Sequence, residues 1–147
     1  MSFMIPEREL PMIAALRRNS RASLMDISKA SGIPVSTVYD KLKRYERGII
    51  TKHTSLVDFQ KIGYPIRTQI LVKIRDEKRF KEFIENHPYI NSVFAIDGAY
   101  NYALDCIFKE MQSLNLFHRE LEKCAVEKKD AYFVLKEIKR EDFLNKI

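Results

Sequence analysis

Short hydroxyl side chains and cations share one predicted helix, at spacings that suit contact with nucleic acid. The helix spans about residues 35–47, with hydroxyls in its first turn and positive charges further along. Hydroxyls at a helix start can reach base edges or phosphates, and later cations can meet the sugar-phosphate backbone. The polar stripe consists of Ser36, Thr37, Asp40, Lys43, Arg44 and Arg47.

A helix face that is simply solvated would show a similar stripe. The helix that precedes this one favours the nucleic-acid interpretation instead. Residues 22–50 predict a helix, a tight turn at Gly32 and a second helix. Two short helices joined through so tight a turn are typical of a helix-turn-helix, whose second helix enters the major groove of DNA.

Capping signals and apolar spacing support three helices in this region. Ser23 is a good N-cap with Asp26 at the third helical position, and Gly32 suits the residue that ends the helix. A helix over residues 6–18 comes first, with Pro11 marking its start or a kink. The predicted inward residues are Met12, Ile13 and Leu16, then Leu24, Ile27 and Ala30, then Val38, Leu42 and Tyr45.

The net charge of +6 is unevenly placed along the chain. Residues 1–65 hold 11 Lys or Arg against 6 Asp or Glu, whereas residues 66–147 hold 15 against 14. A basic surface alone is compatible with simple solvation. Its coincidence with the helix-turn-helix favours nucleic acid as the partner.

The segment after the third helix predicts a connection between two domains. Residues 48–57 alternate β-branched side chains after a glycine and predict a strand, and residues 58–63 predict a short helical turn. The predicted domains are residues 1–50 as the helix-turn-helix, 51–65 as a linker strand and turn, and 66–147 as a second domain.

The second domain follows the order of a ferredoxin-like βαββαβ unit. The predicted strands are 66–74, 90–97, 102–108 and 131–138, and the predicted helices are 76–86 and 111–124. The whole chain is therefore predicted as α+β, with an N-terminal, winged-helix-like helix-turn-helix domain and a C-terminal ferredoxin-like domain.

The predicted sheet is apolar on both faces, although its two helices cover only one. Whichever face is open carries some of Leu71, Phe94, Ile96, Tyr102, Leu104 and Val134. An apolar face needs a cover, and a second copy of the same sheet would supply it. The sequence predicts a homodimer, and a monomer with a partly apolar sheet is the alternative.

Several other classes of protein receive little support from the sequence. No apolar run reaches transmembrane length, and the first residues lack a signal-peptide pattern, so a cytoplasmic protein is expected. Cys106 and Cys124 fit buried free thiols, and the three histidines are scattered, so neither a metal nor a cofactor is expected. No nucleophile motif or glycine-rich phosphate loop indicates an enzyme.

Residues 12–63 resemble the N-terminal domain of the Lrp/AsnC family, the feast/famine transcriptional regulators. The matching residues are Met12, Ile13, Leu16, Asn19, Ser20, Arg21, Ser23, Asp26, Ile27 and Ser28, then, after Gly32, Val38, Lys41, Leu42, Tyr45, Glu46, Ile62 and Gly63. Two departures are Lys41, where the family has arginine, and Pro34, where it has a capping serine. The βαββαβ order also resembles the family's effector domain.

The resemblance implies sequence-specific binding of double-stranded DNA and assembly of dimers into tetramers, hexamers or octamers. The two-fold symmetry of the predicted dimer implies a near-palindromic site. Ser36, Thr37, Asp40 and Lys43 are predicted nearest the bases. Arg21 either contacts phosphate or ties its helix to neighbours. The full predicted DNA-binding set is Arg21, Ser36, Thr37, Tyr39, Asp40, Lys41, Lys43, Arg44, Arg47 and Lys52.

The resemblance also implies a small-molecule effector, usually an amino acid, at a G-x-Y-D turn. This chain has Gly98, Ala99, Tyr100 and Asn101 there, so the carboxylate that would pair with an ammonium is an amide. Lys129 and Ala131 occupy the threonine positions of a second family motif. The predicted effector residues are Gly98, Ala99, Tyr100, Asn101 and Lys129. Both ends of an amino-acid pocket are altered, which favours an unusual effector, with an acidic group that suits Lys129, or none.

Two other functions stay open at this point. Sirohaem decarboxylases that resemble these regulators use the same two modules, and effector domains of this type also exist alone as metabolite-binding proteins. The intact polar stripe argues against the first, and the complete helix-turn-helix against the second. The prediction is a regulator that is not an enzyme.

Overall fold

The computed structural model describes residues 4–147, which form two compact units. One contains the chain up to Leu56 together with Ile138–Ile147, and the other contains Val57–Glu137. The last ten residues therefore group with the helical unit, in contrast to the predicted range 66–147. The predicted boundaries after residues 50 and 65 stay predictions.

Three helices build the helical unit around a small apolar core. They are α1 (Leu10–Arg18), α2 (Leu24–Ser31) and α3 (Val35–Tyr45), and a 3-10 turn, Glu7–Glu9, precedes them. Met12, Ile27, Val38 and Tyr45 are almost completely buried, as the apolar spacing predicted. Ala30 is exposed, in contrast to its predicted inward position. Within α2, only Ile27 is buried.

The turn between α2 and α3 is built from the predicted signals. The Ser23 hydroxyl accepts a hydrogen bond from the Asp26 N–H at 3.1 Å, and the Asp26 carboxylate accepts one from the Ser23 N–H at 3.4 Å. Gly32 ends α2 with a φ of 70°, in the left-handed region that glycine tolerates best. The Ser28 hydroxyl donates to the Ile33 carbonyl at 2.5 Å and so holds the turn from inside.

The second unit is a four-stranded antiparallel sheet with two helices. Its strands are β1 (Ile66–Ile74), β2 (Ile90–Ala95), β3 (Tyr102–Phe108) and β4 (Val126–Phe133), and its helices are α4 (Glu77–Asn86) and α5 (Met111–Glu122). The strands lie in the order β2-β3-β1-β4. This confirms the predicted ferredoxin-like βαββαβ arrangement and the α+β class.

The core of the sheet unit lies between the helices and one face of the sheet. Ile70 and Val72 of β1 are fully buried, and Phe80 of α4 and Phe117 of α5 pack against them. Burial raises the pKa of the Cys106 thiol to about 12, so this cysteine is an inert part of the core.

The strand predicted over residues 48–57 is absent. Alternating β-branched residues favour an extended backbone, but a strand also needs a neighbour to pair with. Within residues 4–147, the sheet contains only β1 to β4, and none of them pairs with this segment. The predicted helical turn that follows is present as a 3-10 turn, Gln60–Ile62.

The last strand was predicted at 131–138 and lies five residues earlier, at Val126–Phe133. β4 is an edge strand, where charged side chains reach solvent easily, so its sequence lacks a clean apolar alternation. The apolar residues that suggested the later range are outside the sheet, with Leu135 97% and Ile138 84% exposed.

The open face of the sheet is partly apolar and partly a polar network. Register places Leu71 of β1, Phe94 of β2 and Tyr132 of β4 on this face, and Phe94 is 63% exposed. Asp105 lies beside them and accepts hydrogen bonds from Arg67 at 2.8 and 2.9 Å.

Two of the residues considered for this open face lie on the helix-covered side. Leu104 is fully buried there, and the Tyr102 ring packs 4.5 Å from that of Phe80. No helix in residues 4–147 is long and apolar enough to cross a membrane.

Candidate functional site

Helix α3 separates its dry and polar sides cleanly. Successive residues of an α-helix are offset by about 100°, so positions 38, 42 and 45 share one side and positions 36, 40, 43, 44 and 47 share the opposite one. Val38 and Tyr45 are buried in the core. The exposed residues on the opposite side are Ser36, Asp40, Lys43, Arg44 and Arg47, as predicted.

The first turn of α3 offers free backbone donors beside short polar side chains. Pro34 precedes the helix, and no side chain caps its N-terminal N–H groups. Such groups carry a partial positive charge and attract anions. Ser36 is exposed and Thr37 half-buried, so both hydroxyls lie near the same end of the helix.

Tyr39 and Lys43 form a pair on the exposed side of α3. The Lys43 ammonium lies 4.4 Å from the centroid of the Tyr39 ring, which is a cation–π distance. Contact with Tyr39 raises the pKa of Lys43 above its ordinary value. Tyr39 is itself 45% exposed and adds an aromatic surface beside the cation.

Lys41 is turned away from this surface and forms an ion pair inside the unit. Its ammonium lies 2.5 Å from a carboxylate oxygen of Glu9, a side chain that is only 2% exposed. Position 41 lies at the edge of the buried side of α3, which explains why it reaches the core. Lys41 therefore ties the region before α1 to α3, and Glu9 is a residue that the sequence analysis missed.

Four other predicted cations are exposed and lack an acidic partner. Within the described chain, no ion pair involves Arg21, Arg44, Arg47 or Lys52, although ion pairs form elsewhere. Only the backbone N–H of Arg21 is engaged, with the Asn19 side chain at 3.0 Å. These charges are available to an external anion.

The predicted effector turn, residues 98–101, is held by internal hydrogen bonds. The Asn101 side chain accepts from the Ile74 N–H at 2.8 Å and donates to the Ile74 carbonyl at 3.0 Å. This contact needs both a donor and an acceptor, which an amide has and a carboxylate lacks. Gly98 has a φ of 138°, which favours glycine, and the neighbouring Ala99 is exposed.

Tyr100 meets two residues of β4 that the sequence analysis did not single out. Its hydroxyl hydrogen-bonds the Asp130 carboxylate, and the Lys128 ammonium lies 4.6 Å from its ring centroid. The contact depends on the register between β1 and β4, which pairs Leu71 with Asp130. The misplaced last strand concealed this contact.

Lys129 lies on the other face of β4 and does not join the turn. Its ammonium pairs with the Glu122 carboxylate of α5 at 2.7 Å. The burial of His118 lowers the pKa of that imidazole, and the charge of Lys129 lowers it further. The structure thus brings Tyr100 together with Lys128 and Asp130, while Lys129 belongs to the helix-covered side. Within residues 4–147, no group of histidine, cysteine or acidic side chains could hold a metal.

Comparisons with known proteins agree with this architecture. Residues 69–143 match the Lrp/AsnC ligand binding domain. The chain is 30% identical over 117 residues to the HTH-type transcriptional regulator FL11 of Pyrococcus horikoshii, covering 77% of each chain. It is 27% identical to the transcriptional regulator AzlB of Bacillus subtilis, covering 80% of this chain and 78% of the relative.

Solved structures share the fold of the whole chain. A transcriptional regulator from Neisseria meningitidis, solved as a complex with L-Met, superposes with a TM-score of 0.82 at 24% identity, covering 93% of this chain and 94% of that one. LrpC of Bacillus subtilis superposes with a TM-score of 0.80 at 22% identity, covering 93% and 99%. At these identities the likeness establishes the fold.

Proposed function

We propose that this chain, which belongs to the Lrp/AsnC family of transcriptional regulators, binds double-stranded DNA at specific sequences and thereby regulates transcription. The observation that carries the proposal is the exposed stripe on α3, opposite its buried side. A helix presented in this way by a helix-turn-helix fits the major groove. The proposal includes no catalytic step, and it places the protein with the DNA in the cytoplasm.

The exposed side chains of α3 divide into two roles by their position. Ser36 and Thr37 lie in the first turn of α3, Asp40 in the second and Lys43 at the start of the third, on the part of the helix that would meet base edges, with Tyr39 beside them. Cations at the end of α3 and outside it suit the phosphates. The proposed phosphate contacts are Arg44, Arg47, Lys52 and Arg21.

Lys41 has a different role from the other predicted cations. Its charge is already compensated by Glu9 within the unit, so it supports the position of α3 and does not bind phosphate directly. The lysine in place of the family's arginine is compatible with this role, because a single carboxylate oxygen is its partner.

The proposed docking is tested by measuring DNA affinity over a series of salt concentrations for a variant that lacks one positive charge. We expect Arg44→Ala to weaken binding to all duplexes and to flatten the plot of log affinity against log salt by about one unit of slope, because one phosphate contact is lost. Fluorescence anisotropy with a duplex selected from a random pool measures both quantities. Lys81→Ala, which removes an exposed lysine from α4, is the matched control. Unchanged affinity and slope in Arg44→Ala would refute the docking.

We further propose a homodimer formed through the open face of the sheet. Phe94 and Tyr132 are more than half exposed there beside the half-buried Leu71, and a second copy would bury this apolar area. A two-fold dimer fits a near-palindromic site with half-sites about one or two turns apart, one turn being roughly 10 base pairs. Tetramers to octamers would extend the same symmetry.

An effector is the second part of the proposal, and the match to a ligand binding domain favours it. Tyr100 with Asp130 and Lys128 offers an aromatic ring and both charges near the turn. Asn101 has an amide where a carboxylate could pair with an ammonium, and both ends of that amide are bound to the Ile74 backbone. We therefore propose an effector other than an unmodified aliphatic amino acid, and calorimetry against the twenty amino acids tests this.

A further inference from the structure

A pocket of about 410 Å³ opens between the end of α4, the start of β2 and the outer side of α5. This volume is in the range of small-molecule sites. The pocket is lined by Glu82, Phe83, Asn86, His87, Pro88, Tyr89, Ser113, Leu116, Phe117 and Glu120.

Aromatic rings form the inner wall of this pocket. The Phe83 ring centroid lies 5.0 Å from that of His87 and 5.4 Å from that of Phe117, and the His87 ring meets Phe117 edge-on at 4.7 Å. Phe117 is almost completely buried, so this wall is fixed by the core behind it. Aromatic faces in such a setting attract both hydrocarbon and cations.

The charge at the pocket is negative. The Glu120 carboxylate lies 3.1 Å from Nε2 of His87, and the Tyr89 N–H donates to Nδ1 of the same ring at 3.3 Å. Because Nδ1 accepts from this backbone N–H, Nε2 is the ring nitrogen that donates to the Glu120 carboxylate. Glu82 adds a second carboxylate, and neither lysine nor arginine is among the described lining residues.

We infer that this pocket binds a small organic ammonium ion. The hydrocarbon part packs on Phe83, Leu116 and Phe117, and the ammonium group lies between the carboxylates of Glu120 and Glu82. Asn86 and Ser113 provide further oxygens at the rim. Charge-assisted hydrogen bonds and cation–π attraction then act on the same group.

This site is separate from the proposed effector turn. Pro88 and Tyr89 lead into β2, which runs from Ile90 to Ala95 before the chain reaches Gly98. Six strand residues span about 20 Å, so the pocket and the turn lie at opposite ends of β2. The inference does not depend on the proposed effector or on DNA binding.

Calorimetry on the full chain with n-butylammonium tests the inference. We expect saturable binding of this probe, and no measurable binding of 1-butanol or butyrate, which have similar hydrocarbon parts and no positive charge. Glu120→Gln and Glu82→Gln should each weaken binding by about tenfold, the effect of losing one charge-assisted contact. Glu85→Gln, on α4 but outside the pocket, is the matched control and should bind like the wild type.

A second variant separates lost binding from a folding defect. Leu116 is 53% exposed, so Leu116→Lys should preserve the thermal unfolding midpoint while placing a competing cation at the pocket and abolishing binding. Absence of n-butylammonium binding by the wild type would overturn the inference. Equal binding of 1-butanol, or full binding by both glutamine variants, would show a purely apolar pocket and would also overturn it.

Discussion

At the scale of single residues, two side chains have partners that redefine their roles. Lys41 and Asn101 were both predicted to face an external molecule, and both are engaged inside the protein. Each contact joins segments that are distant in sequence, Glu9 with α3 and the β2–β3 turn with the end of β1. Substitution of Lys41 or Asn101 should therefore lower the free energy of unfolding, whatever its effect on binding.

Lys41→Met should lower the free energy of unfolding by about 3 kcal/mol, because it leaves the buried Glu9 carboxylate without its counter-ion. Glu9 is 1% exposed, and its second carboxylate oxygen has no hydrogen-bond partner in the described chain. Urea denaturation of both proteins measures the difference. The double variant Glu9→Gln, Lys41→Met should recover part of the loss. A loss no larger than that of Arg47→Met, on the exposed side, would contradict the role of the pair.

Asn101→Asp should have two opposite effects. It removes the donor to the Ile74 carbonyl and places a carboxylate there, so the free energy of unfolding should fall by about 1–2 kcal/mol. It also restores the family's aspartate, so amino-acid binding should become measurable by calorimetry if the turn is an effector site. Tight binding of an aliphatic amino acid by the wild type, lost in this variant, would show that the native amide binds the ligand.

At the scale of elements, the position of the turn between α2 and α3 and the position of the edge strand β4 are set in two different ways. The turn depends on local signals, the Ser23 cap and the left-handed Gly32. β4 depends on its register with β1, which no local signal specifies. The stability of the turn between α2 and α3 should therefore follow the backbone preference of the residue at position 32.

Gly32→Ala should destabilise the helical unit by about 1–2 kcal/mol through backbone strain alone. Apart from the adjoining backbone, the added Cβ would meet no atom within 4 Å, so no clash with the rest of the fold contributes to the loss. Gly32→Asn should be milder, because asparagine tolerates the left-handed region better. Thermal unfolding of the three proteins checks the order glycine, asparagine, alanine. Equal stability of the alanine and asparagine variants would contradict the conformational explanation.

At the scale of the whole molecule, the two faces of the sheet differ in how much of their apolar surface is covered. The helices bury the centre of one face, including Ile70, Val72 and Leu104, and the other face leaves Phe94 and Tyr132 more than half exposed. The open face is where an apolar contact with a second copy can form without disturbing the core. A charge on each face should therefore have a different consequence.

Phe94→Lys should convert the proposed dimer to a monomer while the thermal unfolding transition stays cooperative, because the side chain is 63% exposed within its own unit. Light scattering at micromolar concentration measures the mass. Leu104→Lys should instead unfold the protein, because Leu104 is fully buried under the helices. Leu116→Lys, an exposed substitution on the helix side, should leave the dimer intact. A wild-type monomer at this concentration would remove the dimer proposal.

Residue types and their local spacing were sufficient for most of the elements. Helices α2 to α5 and strands β1 to β3 were predicted with bounds close to those found, because apolar periodicity and caps are properties of neighbouring residues. Helix α1 begins at Leu10, four residues after its predicted start, because a 3-10 turn, Glu7–Glu9, precedes it. The polar stripe on α3 followed from the same periodicity. The family resemblance then agreed with the matched ligand binding domain.

Only the tertiary structure decided which polar side chains are bound within the protein and which remain available to an external partner. The ion pair of Lys41 with Glu9, the clamp of Asn101 on Ile74 and the position of β4 all depend on contacts between distant segments. Periodicity places a residue on a face of its own element but does not specify what lies opposite. Strand pairing and burial supply that second surface, and with it the partner of each charge.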